Sequence, residues 1–459
     1  MRKYIGLVIL LTVLASCQVS KKYERPAINT RNLYRDQQNT DTTTMATMPW
    51  QKLFSDPVLI ELITEGLQQN LDLKIAVEHI NAARASFKQS KAAFLPDLNG
   101  NAGITQSKLA FPQGFGIISS STQYDAGLTA SWEADIWGKL RSSKRSALAG
   151  LLQTEEARKA VQTQLISEIA NNYFMLLALD EQLMVLEKTV VNRKTDVSTM
   201  KSLKAANIVT GAAEVQSEAN QYAAEVAIPR LKRQIRETEN AMNVLLSRQA
   251  GPINRKSLES QQLLLDLNVG IPVQLLQNRP DVRQAEYAFM KAFETTNVAR
   301  QLFYPSLNIT ASSGFTSFSF KDWITPSGLF ANIASGITQP IFNKGANKAR
   351  LATAKAAQQE SAYLFQKSLL KAGEEVSNAL FSYQTAIDQQ SIRAKQLQSL
   401  QKSVDFTKKL LRYSSATNYT DVLTSEQNLL SAELDNIGDK LQQWQALISL
   451  YRALGGGWQ

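Results

Sequence analysis

The sequence predicts a mainly α-helical fold with a small β part, built from two structural repeats of helix, β-hairpin, long helix and return helix. Three observations predict it: an internal repeat, two pairs of segments in which apolar and polar residues alternate, and two very long helical patterns without proline. Hydrophobic residues make up 44% of the 459 residues and charged residues 20%. This is enough apolar material for a packed core, so wholesale disorder is excluded.

The internal repeat relates the first half of the chain to the second. Asn70–Leu73 corresponds to Arg279–Val282, and at the same offset Phe94–Asn99 corresponds to Phe303–Asn308. A repeat of this length implies two copies of one structural unit. The predicted divisions of the ordered chain are a first repeat at 50–250, an equatorial linker at 251–272 and a second repeat at 273–459.

Each repeat contains two predicted strands, which follow a helix ending at Phe-x-Pro. Apolar and polar residues alternate from Ala126 to Ile136, and this period of two gives the strand one apolar and one polar face. The predicted strands lie at about 98–108, 124–137, 307–320 and 329–341.

Four strands cannot close a membrane barrel, because the smallest such barrels have about eight. After the N-terminus no segment offers about 18 consecutive apolar residues, so a chain that crosses a membrane must do so as a barrel. Unpaired strand edges are not tolerated in lipid, so closure requires further copies of the chain. Eight strands from two chains and twelve strands from three chains both meet this requirement.

Very long helices follow each predicted hairpin. No proline occurs from Gln113 to Ile228 or from Ile341 to the C-terminus, and apolar residues recur every three or four positions. The pattern predicts helices over about 139–206 and 345–412, each roughly 100 Å long. Breaks at Thr210-Gly211 and 414–420 return the chain as a second helix, and Pro229 is expected to kink the first of these.

The N-terminus has the features of a lipoprotein signal peptide at residues 1–16. A basic start precedes a ten-residue apolar run, which is too short to span a membrane, and Leu14-Ala15-Ser16-Cys17 resembles a bacterial lipobox. Cys17 is therefore the predicted lipidation site, and Gln18 after it favours the outer membrane. The alternative is an ordinary signal peptide with an incidental cysteine. Residues 17–49 are predicted to be an acylated tether.

The chemical inventory excludes most enzyme classes. The chain has one cysteine and one histidine, so neither a disulfide within the chain nor a His/Cys zinc site is available. His79 lies in a helical pattern without triad partners, and we expect it to be structural. The net charge of +10 comes from scattered basic residues, which does not favour nucleic-acid binding. We expect no catalytic residue, no metal and no cofactor.

Six motifs follow one another along nearly the whole mature chain: Tyr23–Pro26, Asp56–Leu59, Asn70–Leu73, Asp135–Arg141, Arg279–Glu286 and Tyr451–Trp458. Together they resemble the TolC-like outer-membrane factor family, specifically the lipoprotein branch of multidrug (RND-type) efflux outer-membrane channels. One departure is Asn418, which stands where the family commonly has glycine.

The resemblance implies a homotrimer with a twelve-stranded outer-membrane β-barrel that continues into a twelve-helix periplasmic α-barrel. It implies a lipid-anchored outer-membrane protein that serves as the passive exit duct of a tripartite efflux pump. Its partners would be a periplasmic adaptor (membrane-fusion) protein and an inner-membrane transporter, and its cargo would be drugs or other small molecules. The alternatives are the outer-membrane duct of a type I protein-secretion system, a periplasmic coiled-coil lipoprotein and an enzyme.

A tube that spans the periplasm must be sealable, so we predict a periplasmic gate where the long helices turn back. In a trimer, Asp421 would form a ring of three carboxylates that favours cations. Asp421 could also simply cap its helix, and both roles can coexist. The gate candidates are Arg412, Tyr413, Tyr419, Asp421 and Glu214.

Two further features receive structural interpretations. Pro280 is expected in the first turn of a helix, with Asp281 favourable to the helix dipole and Arg279 and Arg283 in interhelical ion pairs. Six aromatic residues near strand ends are interpreted as interfacial anchors rather than as a ligand platform. These are Phe111, Phe115, Trp132, Phe318, Phe320 and Trp323.

Overall fold

The first repeat folds in the predicted order in the computed structural model. The structure describes residues 19–26, 33–35, 44–108, 120–261, 274–413 and 419–459. Cys17, Phe111, Phe115 and Asn418 lie outside these residues. The elements of the first repeat are α1 (Pro57–Gln69), α2 (Leu71–Ala92), β1 (Asp97–Lys108), β2 (Ser120–Ala134), α3 (Lys139–Ala205) and α4 (Gly211–Leu245).

The second repeat has the same order from its second helix onward. Its long helix has 68 residues and that of the first repeat has 67, which agrees with the two proline-free patterns. Helix α4 continues through Pro229. The elements of the second repeat are α5 (Pro280–Gln301), β3 (Ser306–Ser317), β4 (Leu329–Thr338), α6 (Ala346–Tyr413) and α7 (Tyr419–Ala453).

The four strands form one antiparallel sheet in the order β1-β2-β3-β4. Strands β2 and β3 belong to different repeats, so their pairing joins the two copies within the chain. The register places Asp125 of β2 opposite Thr316 of β3 and Gly103 of β1. Because β1 and β4 each pair with one neighbour only, they are the two edges of the sheet in the described chain.

The strand ends differ from the predicted ones for local reasons. Strand β2 ends at Ala134 rather than at 137, because the Asp135 side chain accepts hydrogen bonds from the backbone N–H groups of Leu140 and Arg141 and so caps α3. Strand β3 ends at Ser317 rather than at 320, because a 3₁₀ turn follows at Phe320–Asp322.

The chain forms two compact units, and each takes segments from both repeats. The first unit comprises the described parts of 1–27, 79–155 and 284–365, and contains the sheet. In it the N-terminal segment lies on α5: Arg25 makes two hydrogen bonds with Glu286, at 2.6 and 2.7 Å. Tyr23 packs edge-on against Phe293, with 5.6 Å between ring centroids.

The second unit comprises the described parts of 28–78, 156–283 and 366–459. Its core is apolar and aromatic: Phe174 of α3 stacks on Trp444 of α7 with ring centroids 4.2 Å apart. The fully buried Tyr173 donates a hydrogen bond to Asp56 at 2.6 Å. None of the helices in the described ranges has an apolar stretch long enough to cross a membrane.

The structural roles predicted for Arg279, Arg283 and the residues between them are confirmed in the second unit. Helix α5 begins at Pro280, and Asp281 lies in its first turn. The buried Arg279 pairs with Asp281 at 2.6 Å and with Glu375 of α6 at 2.8 Å. Arg283 pairs with Glu156 of α3 at 3.1 Å. These residues therefore hold helices of both repeats together.

Candidate functional site at the helix turns

Tyr419, the first residue of α7, joins the second hairpin (α6 and α7) to the first hairpin (α3 and α4). Its side chain is buried, with 7% of its surface exposed. The hydroxyl donates a hydrogen bond to Ser217 Oγ of α4 at 2.8 Å. The ring belongs to a buried cluster with Met200 of α3 and Leu423. The contact therefore lies between the two hairpins of one chain.

The other gate candidates of the second hairpin lie at the ends of its two helices, and two of them are exposed. Tyr413, the last residue of α6, is 84% exposed. Asp421 is exposed in the first turn of α7, where a carboxylate is favourable to the helix dipole. Arg412 lies in the last turn of α6, and its side chain is outside the described part of the structure. The structure thus separates the two tyrosines: Tyr419 is packed and Tyr413 is exposed.

Glu214 lies in the first hairpin, in the first turn of α4. It forms an ion pair with Lys204 of α3. A second pair follows along the helices, between Lys201 and Glu218 at 2.9 Å. The lysines of both pairs are exposed, so solvent screens and weakens these interactions. The structure places Glu214 in a row of ion pairs inside the first hairpin.

A cluster of four charged residues lies near Tyr419, and we call it the charge cluster. It comprises Arg193 and Asp196 of α3, Lys408 of α6 and Glu426 of α7. Arg193 is 4% exposed and donates a hydrogen bond to Glu426. Lys408 Nζ lies 2.5 Å from the same carboxylate, and Arg193 lies 3.7 Å from Asp196. Three helices from both hairpins therefore meet in a group with two positive and two negative side chains.

The charge cluster was not predicted from the sequence. Glu426 follows Tyr419 by seven residues, which is two helical turns, so the two share a face of α7. That spacing could have marked Glu426 as inward-facing. Its partner Arg193 is 233 positions away in the chain, and no local pattern relates the two.

Asp196 is the residue of the charge cluster whose ionised form is disfavoured by its surroundings. Burial raises the pKa of its carboxyl to about 6, and the neighbouring Glu426 carboxylate adds to the rise. Arg193 and Lys408 act in the opposite direction but do not cancel it. Ionised Asp196 is therefore unfavourable in the packed arrangement of α3 and α7. Burial likewise raises the pKa of Tyr419, so its hydroxyl stays protonated and can donate to Ser217.

The two hairpins contact each other here through a hydrogen bond, a small apolar cluster and the charge cluster. The neutral hydrogen bond between Tyr419 and Ser217 contributes about 0.5–1.5 kcal/mol net. Within the described ranges, no group of three His, Cys, Asp or Glu side chains is arranged to hold a metal ion.

Comparison with known proteins places this fold among efflux proteins. Residues 62–248 and 271–456 match the family described as outer membrane efflux protein. The chain is 29% identical over 459 residues to the cation efflux system protein CusC of Escherichia coli, with 97% of each chain covered. It is 29% identical over 466 residues to the toluene efflux pump outer membrane protein TtgI of Pseudomonas putida, covering 98% of this chain and 97% of that one.

A solved structure of an outer membrane channel has a similar fold. The open state of the MtrE outer membrane channel of Neisseria gonorrhoeae matches with a TM-score of 0.85 and 26% identity. The match covers 96% of this chain and 99% of that chain.

We predict that the contact between the hairpins weakens as the pH rises through about 6. The pKa of Asp196 is raised in the packed state, to about 6 from an ordinary value near 4. The packed state therefore binds the proton more tightly, and acid stabilises it. Between pH 7.5 and pH 5, protection of the first turns of α7 against hydrogen exchange should rise about tenfold after correction for intrinsic rates.

Asp196→Asn should remove most of this pH dependence and give, at pH 7.5, the protection that the wild type has at pH 5. Asp405→Asn, at an exposed position of α6, is the matched control and should leave the wild-type response intact. A full wild-type pH response in Asp196→Asn would contradict the assignment of the effect to Asp196.

Proposed function

We propose, from the premise that this chain belongs to the outer membrane efflux protein family, that three copies form a passive exit duct across the outer membrane. The family is one of outer-membrane channels and not of enzymes. The chain is an outer-membrane efflux channel protein. The names of its relatives do not favour a duct for protein secretion.

The proposal of a trimer rests on the four-stranded sheet, whose edge strands β1 and β4 each pair with one neighbour only in the described chain. One face of the sheet bears exposed apolar side chains, with Ile333 80% exposed and Ile337 72%. An apolar face of this kind suits lipid, and in lipid the edges β1 and β4 must pair with other strands. Three copies would supply twelve strands and would pair every edge.

The long helices support the same assembly. Helix α6 carries large apolar side chains that are exposed in the single chain, among them Phe381, Ile392 and Phe406. Exposed apolar surface along a long helix marks an interaction face. In the proposed trimer, the helices of neighbouring copies cover these residues, and twelve helices continue the barrel as a periplasmic tube.

The duct works without binding its cargo tightly. A wide polar-lined tube lets compounds pass once an inner-membrane transporter has delivered them through a periplasmic adaptor protein. The two named relatives are a cation efflux protein and a toluene efflux protein. We propose small molecules and ions as the cargo class, in a passage that requires no catalysis and no cofactor.

We further propose that Cys17 carries lipid and anchors the mature N-terminus to the outer membrane. The signal sequence and the lipobox support this proposal. Residues 21–25 are held on α5, only a few positions after Cys17. An acyl group on Cys17 would therefore remain close to the unit that contains the sheet.

The gate is proposed at the turns of the hairpins. Tyr419 and the charge cluster hold the two hairpins of one chain together, and Asp421 and Tyr413 are exposed in the first turn of α7 and at the end of α6. Separation of the hairpins would widen the tube, and an adaptor that competes for the same groups would favour the open form.

We predict that Tyr419→Phe combined with Asp421→Ala raises the single-channel conductance in planar bilayers and lowers cation preference. The first change removes the hydrogen bond to Ser217, and the second removes a carboxylate beside it. Ser217→Ala should raise conductance in the same direction, because it breaks the same bond from the other side.

Tyr222→Phe, an exposed tyrosine of α4, is the control and should conduct as the wild type does. Wild-type conductance and ion preference in the double variant, with the assembled protein intact, would place the gate elsewhere.

Cys17→Ser is predicted to abolish incorporation of labelled palmitate and to lower the amount of protein in the outer membrane. The serine hydroxyl cannot form the thioether of a bacterial lipoprotein. The comparison is made in cells that express equal amounts of both proteins. Undiminished labelling of the variant would exclude Cys17 as the lipid site.

A further inference from the structure

One face of the sheet is polar, and the register defines it. Alternate residues of β2 from Ser121 to Glu133 share this face with the residues that pair with them on β1 and β3. Hydroxyl, amide and glycine residues make up most of it. Its charged members within the four described strands are Asp97, Asp125 and Glu133, and these strands place no lysine or arginine on this face.

The three acidic residues are not equivalent. Glu133 forms an ion pair with Lys139 at 2.6 Å, so its charge is offset locally. Asp97 is the first residue of β1, where the chain arrives from the helices. Asp125 lies about 20 Å further along the strands, towards the far end of the sheet.

Asp125 is held in place by its neighbours. Its Oδ1 accepts a hydrogen bond from Thr316 Oγ1 at 2.7 Å, across the β2–β3 pair, and one from Gln123 Nε2 at 3.0 Å. Both bonds end on the same oxygen, which orients the carboxylate without using Oδ2. On the other side stands Gly103, where an added Cβ would meet no atom within 4 Å. The carboxylate therefore has a fixed position beside open space.

We infer that Asp125 is a specificity-determining residue that gives the duct a preference for cations near its outer end. This inference rests on the proposed function, because it takes the polar face as the lining of a trimeric channel. Three copies would place three oriented carboxylates at one level of the lining. Fixed charges on the wall of a water-filled pore raise the local concentration of counter-ions and lower that of co-ions, most strongly at low ionic strength. The ions and molecules favoured are metal cations and organic ammonium compounds.

This site is separate from the gate. Asp125 belongs to the sheet and Asp421 to the first turn of α7. Each can therefore be removed alone, and the residual ion preference reports the other.

The test is the reversal potential of single channels in planar bilayers under a potassium chloride gradient at low ionic strength, where screening is weak. Asp125→Asn should lower the ratio of potassium to chloride permeability about twofold to threefold. Gly103→Lys should lower it further, because the open space beside Asp125 accepts an ammonium group that neutralises the carboxylate. Asn101→Asp, one pair closer to the helices on the same face, should raise the ratio.

Thr316→Val is the matched control, because it removes one hydrogen bond to Asp125 but keeps the charge and the hydrogen bond from Gln123 that still orients the carboxylate. Its permeability ratio should stay close to that of the wild type. Every variant is also measured with Tyr419→Phe and Asp421→Ala added, so that a closed gate cannot conceal an effect in the sheet.

Wild-type ratios for both Asp125→Asn and Gly103→Lys, in both backgrounds, would overturn the inference. A preference that disappears with Asp421→Ala alone and does not respond to Asp125→Asn would also overturn it. A wild-type protein that inserts and forms no pore would contradict the proposed function itself, and this inference with it.

Discussion

An open sheet edge must find hydrogen-bond partners, and this constraint governs the rest of the structure. The chain pairs β2 with β3 across its two repeats and ends its sheet at β1 and β4. One face of that sheet is apolar and exposed, which fits lipid, and lipid leaves no water to satisfy the edges. In the proposed trimer, neighbouring copies provide the partners of β1 and β4 and cover the apolar side chains that are exposed on the long helices.

The contacts near the helix turns meet a different requirement of the proposed duct, which would have to open and close while its copies stay assembled. The contacts between the hairpins around Tyr419 include the hydrogen bond to Ser217, a small apolar cluster and the charge cluster. The large aromatic core around Phe174 and Trp444 lies elsewhere in the same unit. In the proposed gate, the hairpins would separate at the contacts around Tyr419 while the aromatic core stays folded.

The periodic elements of the fold could be predicted from the sequence. The long helices extend over Lys139–Ala205 and Ala346–Tyr413, within one residue of the predicted ends, because apolar periodicity and the absence of proline act over many residues. The strand ends were less predictable. Apolar and polar residues alternate as far as Ile136, but β2 ends early because the side chain of Asp135 caps α3. Whether such a residue extends a strand or caps a helix depends on one side chain, which the alternation pattern does not reveal.

The candidate site was predictable in position but not in its contacts. The turns indicated Tyr419 and Asp421, yet the sequence could not say that Tyr419 is buried against Ser217 while Tyr413 is exposed. The charge cluster joins residues that are far apart in the chain, and only the packing of the helices brings them together. Asp125 likewise becomes notable only through the register, which sets Thr316 on one side of it and Gly103 on the other.

The proposed trimer can be tested by native mass spectrometry of the protein extracted gently from outer membranes. We expect a particle of three chains, each near the 50.9 kDa of the full sequence less its signal peptide and plus its lipid. Three chains would complete a closed sheet of twelve strands. A stable monomer as the predominant form would contradict it, because the edges of β1 and β4 would then need no partner.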